Sequence, residues 1–93
     1  MLLAAAIGFN RGRVLDMGAG VGGVSLCLAR RLDAVQITAI EIDPVMAALA
    51  QRNVVANGFD DRLRILHDDI VKMPSVLAGS FDHVVSNLSL IHI

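Results

Sequence analysis

From Arg13 to Met17 the chain is almost continuously apolar, then breaks into Gly18-Ala19-Gly20-Val21-Gly22-Gly23 and resumes as the aliphatic run Val24-Ser25-Leu26-Cys27-Leu28-Ala29. This pattern predicts a strand buried on both faces, a tight turn and a helix from about Val21 to Leu32. Arg30 and Arg31 fall in the last turn of that helix, where positive charge suits its dipole. A second strand is expected from Gln36 to Ile42, and Val35, Ile37 and Ala39 set against Ile40 and Ile42 mark it as central. Asp43-Pro44 reads as a carboxylate cap followed by proline at the first helical position. The helix it starts extends to about Ala56, stops at Asn57-Gly58, and shows one apolar stripe of Val45, Leu49, Ala50 and Val54. Arg62 to Leu66 and Phe81 to Val85 give a third and a fourth strand, with a turn or short helix around Met73 to Ala78 between them.

Strands separated by crossovers of this length are parallel and right-handed, so the fold class is α/β, a Rossmann-like doubly wound sheet. About four strands are recognisable where such sheets normally continue, so residues 1–93 read as the N-terminal half of one domain. No linker or internal repeat divides it. The apolar opening Met1 to Ile7 reads as the tail of a packing helix that turns through Gly8 to Arg13 into the first strand. It is well short of the ~20 residues of a membrane helix, and no membrane partner is expected.

With 55% hydrophobic residues and only three aromatics, all Phe, the interior must be Leu, Val, Ile and Ala. A net charge of −1 without a basic stripe gives no nucleic-acid footprint of its own. The single cysteine, Cys27, excludes an internal disulfide framework, fits a reducing cytoplasmic setting, and is expected in the core. His67, His83 and His92 lack metal-ligand spacing, so structural roles and no metal are expected.

The candidate chemistry lies at the glycine turn. Gly18, Gly20 and Gly23 satisfy G-x-G-x-x-G, which alone describes a dinucleotide fingerprint equally well. Glu41 follows Gly20 by twenty-one residues at the tip of the next strand, where a carboxylate can accept both hydroxyls of a ribose. Together the two features indicate a nucleoside-cofactor site. Asp16, inside an apolar strand, must be solvated or hydrogen-bonded, either to the turn's amides or to a cofactor's amino group. Asp43 is assigned to the helix cap and Asp68 to a solvated loop.

Val14-Leu15-Asp16-Met17-Gly18-Ala19-Gly20-Val21-Gly22, Ile40-Glu41-Ile42-Asp43-Pro44, Asp68-Asp69-Ile70 and Phe81-Asp82-His83-Val84-Val85-Ser86-Asn87, in this order, resemble the class I S-adenosylmethionine-dependent methyltransferases over nearly the whole chain. The resemblance implies S-adenosyl-L-methionine as cofactor. It implies that Asp16, Gly18 and Gly20 face the methionine and ribose parts, that Glu41 holds the ribose hydroxyls, and that Asp69 meets the adenine amine. In the amino-methylating branch the fourth strand ends in Asn or Asp followed by two prolines and an aromatic residue. Asn87 matches the first position, which implies a catalytic role in orienting the acceptor amine.

Leu88, Ser89 and Leu90 depart from the rest of that motif, and residues 88–93 read as foreign sequence at a truncated end, similar to a translated adaptor tail. Leu49-Ala50-Gln51-Arg52-Asn53, then Asn57-Gly58 and Asn87, look most like the tRNA1(Val) adenine N6-methyltransferase group, which implies a tRNA substrate. Release-factor glutamine N5-methyltransferases share the Asn motif and stand as an alternative. A nicotinamide-dependent oxidoreductase is a further class, opposed by Asp16 and by the Glu41-Ile42-Asp43-Pro44 ending. A non-catalytic remnant that binds cofactor weakly or not at all is the third reading.

Overall fold

A computed structural model of the chain describes residues 11–69 and 81–86. Its elements are β1 (Arg11–Met17), α1 (Gly23–Arg31), β2 (Ala34–Glu41), α2 (Pro44–Ala56), β3 (Leu63–His67) and β4 (His83–Ser86). The expected opening helix, the turn around Met73 to Ala78, Asn87, the 88–93 tail and His92 lie outside the described residues.

All strand pairings are parallel, in the order β3-β2-β1-β4. The chain winds outward from β1 through β2 to β3, then returns to add β4 on the other side of β1. Winding therefore reverses between β1 and β4, and such a reversal opens a crevice at the carboxyl ends of the strands. The doubly wound expectation is met.

The register aligns Val14 with Ile37 and Ile37 with Leu63, an aliphatic row across the sheet. Val24, Leu28 and Ala29 of α1 and Val54 of α2 close over it in one buried cluster. Leu15 on the other face of β1 is also buried, as expected for a central strand. Cys27, expected in the core, is half-buried and packs against the cluster's edge.

Asp43 Oδ1 accepts from the amides of Val45 at 2.8 Å and Met46 at 3.2 Å, so the cap and Pro44 start α2 as the sequence requires. The expected apolar stripe is buried only in part, at Ala50 and Val54. Ala47, Ala50 and Val54 face the core, whereas Val45 is 67% and Leu49 39% exposed. The cause is close approach: a Cβ placed on Gly22 would lie 3.5 Å from the Ala50 Cβ, so α2 leans its small residues on the glycine turn. Ile42, expected within the second strand, lies beyond the end of β2 and is 61% exposed.

Candidate functional site

The carboxyl ends of β1 and β2 are joined by backbone before any side chain is involved. The amides of Gly18 and Ala19 both donate to the Ile40 carbonyl at 2.9 Å, folding the turn over β2. Gly20 sits at φ +58°, and a Cβ there would meet nothing within 4 Å, so the turn is open toward solvent above it. That combination is what a ligand lying against the backbone needs.

Glu41, the last residue of β2, bridges the turn and the start of α2. Its Oε1 accepts from the Gly20 amide at 2.6 Å and its Oε2 from the Asp43 amide at 3.0 Å. A carboxylate offers roughly four acceptor positions, so these bonds orient it while leaving acceptors for a diol. The Asp68 amide donates to the Glu41 carbonyl at 3.1 Å, which brings the loop after β3 alongside. Asp68 Oδ1 in turn accepts from the Asp69 amide at 2.7 Å. His67 Nε2 donates to the Ile42 carbonyl at 3.0 Å, holding the two loops together.

These contacts enclose a cleft of about 90 Å³ lined by Gly18, Ile40, Glu41, Ile42, Asp68 and Asp69. The structure thus lines this opening with Gly18, Glu41 and Asp69, and Gly20 joins it through its bond to Glu41. Asp68, assigned to a solvated loop, is exposed but also lines the cleft and caps the Asp69 amide. A wider depression of about 300 Å³ lies at the other end of the sheet, near Arg13, Gln36, Thr38 and Arg64. It contains neither the glycine turn nor a strand carboxyl end, which are where open α/β sheets bind their ligands.

Asp16 takes a different position from its companions. It is fully buried between Ala39 and Val85, and Oδ2 accepts from the Ser25 hydroxyl at 2.6 Å rather than from the turn's amides. Oδ1 is buried with no hydrogen-bond partner among the described residues. Burial pushes its carboxyl above the ordinary value; the Ser25 hydroxyl opposes that shift, and the charge of Glu41 adds to it. Ser25 was not singled out from sequence. Its available signal was a hydroxyl placed among aliphatic positions in the first turn of a helix that follows a strand carrying an acid.

A protein family described as a methyltransferase domain matches residues 14–93. The chain belongs to this methyltransferase family. The domain is 37% identical over 75 residues to a tRNA1(Val) (adenine(37)-N6)-methyltransferase of Haemophilus influenzae, covering 80% of this chain and 32% of that protein. It is 40% identical over 76 residues to the enzyme of that name from Porphyromonas gingivalis, covering 78% and 30%. The methyltransferase chain therefore spans just under a third of the length of these curated relatives. An RNA methyltransferase from Salinibacter ruber, solved with S-adenosyl-L-homocysteine, superposes with a TM-score of 0.72 at 24% identity over 81% of this chain and 46% of that one. That likeness confirms the fold. Among the described residues, no helix is long and apolar enough to cross a membrane, and no group of three or more His, Cys, Asp or Glu is placed to hold a metal.

Proposed function

We propose that this chain is the cofactor-binding part of an S-adenosyl-L-methionine-dependent N-methyltransferase that methylates an exocyclic adenine amine in tRNA. The observation that carries the cofactor reading is the Glu41 carboxylate bonded to the Gly20 amide at 2.6 Å. It puts an acceptor for ribose hydroxyls directly beside a turn residue that leaves open space.

The residues present fit the cofactor. Glu41 would hold the ribose, Asp69 the adenine amine, Gly18 and Gly20 would leave room for the chain between them, and Asp16 would offset the cationic amino acid end. Bound there, S-adenosyl-L-methionine supplies an electrophilic methyl group. Asn87, outside the described residues, would accept hydrogens from the target amine and aim its lone pair. The tRNA adenine assignment, and with it a cytoplasmic setting, rests on the names of the relatives and on the Leu49 to Gly58 and Asn87 pattern.

Isothermal titration of the full chain with S-adenosylhomocysteine and with NAD tests the cofactor reading. Binding of the first alone, weakened about 10- to 100-fold in Glu41→Ala, is expected for lost charge-assisted bonds. Tighter binding of NAD would overturn it. Transfer of labelled methyl to undermodified tRNA, abolished by Asn87→Ala, tests the acceptor; transfer to a glutamine of a release-factor peptide instead would replace it.

A further inference from the structure

Ser25 lies fully buried in the first turn of α1, nine residues after Asp16, and spends its only hydroxyl proton on Asp16 Oδ2 at 2.6 Å. The other oxygen, Oδ1, is sealed from solvent and without a partner among the described residues, in a strand that leads two residues later into the glycine turn. A buried carboxylate with an unsatisfied oxygen is costly, and a cation reaching it removes the cost. The proposed cofactor carries such a cation at its amino acid end.

We propose that Ser25 is a positioning residue for that end of the cofactor: its hydroxyl pins one oxygen of Asp16 to α1 and so reserves the other for the ligand's ammonium group. The inference rests on the methyl-donor reading above and adds a residue to it. The register partners Ala39 and Val85 are apolar, His83 of β4 lies beside Gly12 at the far end of β1, and Glu41 is the charged group that acts on Asp16. A hydrogen bond to the ionised form favours it, and the Ser25 bond acts in that direction on Asp16.

The test compares two ligands that differ at the ammonium: S-adenosylhomocysteine, which has it, and 5′-methylthioadenosine, which lacks the amino acid. Both are titrated into the full 93-residue chain, its Ser25→Ala variant and its Ser25→Thr variant. Ser25→Ala is expected to weaken S-adenosylhomocysteine about tenfold, as for loss of one hydrogen bond to a charged group. It should leave 5′-methylthioadenosine unchanged, and Ser25→Thr should restore the difference.

A second measurement needs no variant. In the unaltered chain, S-adenosylhomocysteine binding should strengthen as pH rises through the ionisation of Asp16, whereas 5′-methylthioadenosine binding should not follow. Equal losses for both ligands, no loss for either, or identical pH profiles would overturn the role of Ser25 while leaving the cofactor site standing. Failure of the unaltered chain to bind either ligand would remove the cofactor reading itself, and this inference with it.

Discussion

The guanidinium of Arg62 lies 5.5 Å from the centre of the Phe59 ring. From there its Nη2 donates to the Ala29 carbonyl at 2.8 Å and its Nη1 to the Leu32 carbonyl at 3.0 Å. A residue at the entrance of β3 therefore closes the carboxyl end of α1, where unpaired carbonyls collect negative potential. The glycine turn sits at the other end of that helix. Arg62 thus helps fix the platform on which the site is built, although it is remote from the cleft.

Arg62→Ala is expected to cost about 2–3 kcal/mol of stability, because it strips charged donors from two half-buried carbonyl contacts as well as removing the ring contact. Arg62→Lys should recover less than half, since an ammonium cannot fork across two carbonyls. Urea unfolding followed by circular dichroism reads both. A cost for the alanine variant below about 0.5 kcal/mol would mean that the cap is incidental.

Gly12 and Asp82 make a second structural demand, at the foot of the sheet. Gly12 has φ +111°, and a Cβ there would stand 3.0 Å from Asp82 Oδ2. That oxygen already accepts from the Arg13 amide at 2.9 Å, while the Asp82 amide donates to the Arg13 carbonyl at 2.9 Å, so the pair sets where β4 joins β1. Gly12→Ala should cost about 2 kcal/mol, from the left-handed backbone and the displaced carboxylate together. Arg13→Gln should cost less than about 0.5 kcal/mol, because it removes only the exposed ion pair between Arg13 Nε and Asp82 Oδ2 at 3.9 Å. If the two variants unfold at the same urea concentration, the backbone account of this corner is wrong.

Asp16 gives stability a definite pH dependence. Its carboxyl ionises higher in the folded chain than in the unfolded one, where it follows the usual Asp value of about 4. Between those two values the folded state binds more protons, so its stability is fullest below the unfolded value and falls as pH rises through the folded one. Thermal melts of the unliganded chain should therefore show a decline that begins above about pH 4 and is flattened in Asp16→Asn. A melting temperature that rises across this window, with no difference between the two proteins, would contradict the burial-driven shift.

The glycine turn, Glu41 and the Asp43 cap were legible in the sequence because each announces itself locally: a conformation only glycine takes easily, an acid at a strand end, an acid before proline. The parallel pairing followed from crossover lengths. Ser25 and Arg62 were not legible, since a hydroxyl or a guanidinium has no meaning until folding brings it nine or thirty residues back along the chain. Asp16 was visible as an anomaly, but its environment was not. Whether it faced the turn's amides or α1 depended on how the helix settles on the sheet.

The settling of α2 shows the same limit and supplies a direct check. Periodicity alone favoured Val45, Leu49, Ala50 and Val54 for the core, yet packing kept only Ala50 and Val54 on the inner face, added Ala47 and left the bulky Val45 and Leu49 exposed. Large side chains cannot lie against a turn that approaches as closely as Gly22 does to Ala50. Val54→Ala should then cost about 2 kcal/mol as a buried cavity, whereas Val45→Ser on the same helix should stay within about 0.5 kcal/mol. Ala50→Leu should cost about 1–3 kcal/mol by overpacking, and the helix it pushes away from Gly22 should carry Asp43 and its bond to Glu41 with it. Measured in one urea series, the reverse order, with Val45→Ser the most damaging, would restore the stripe read from sequence and refute the packing described here.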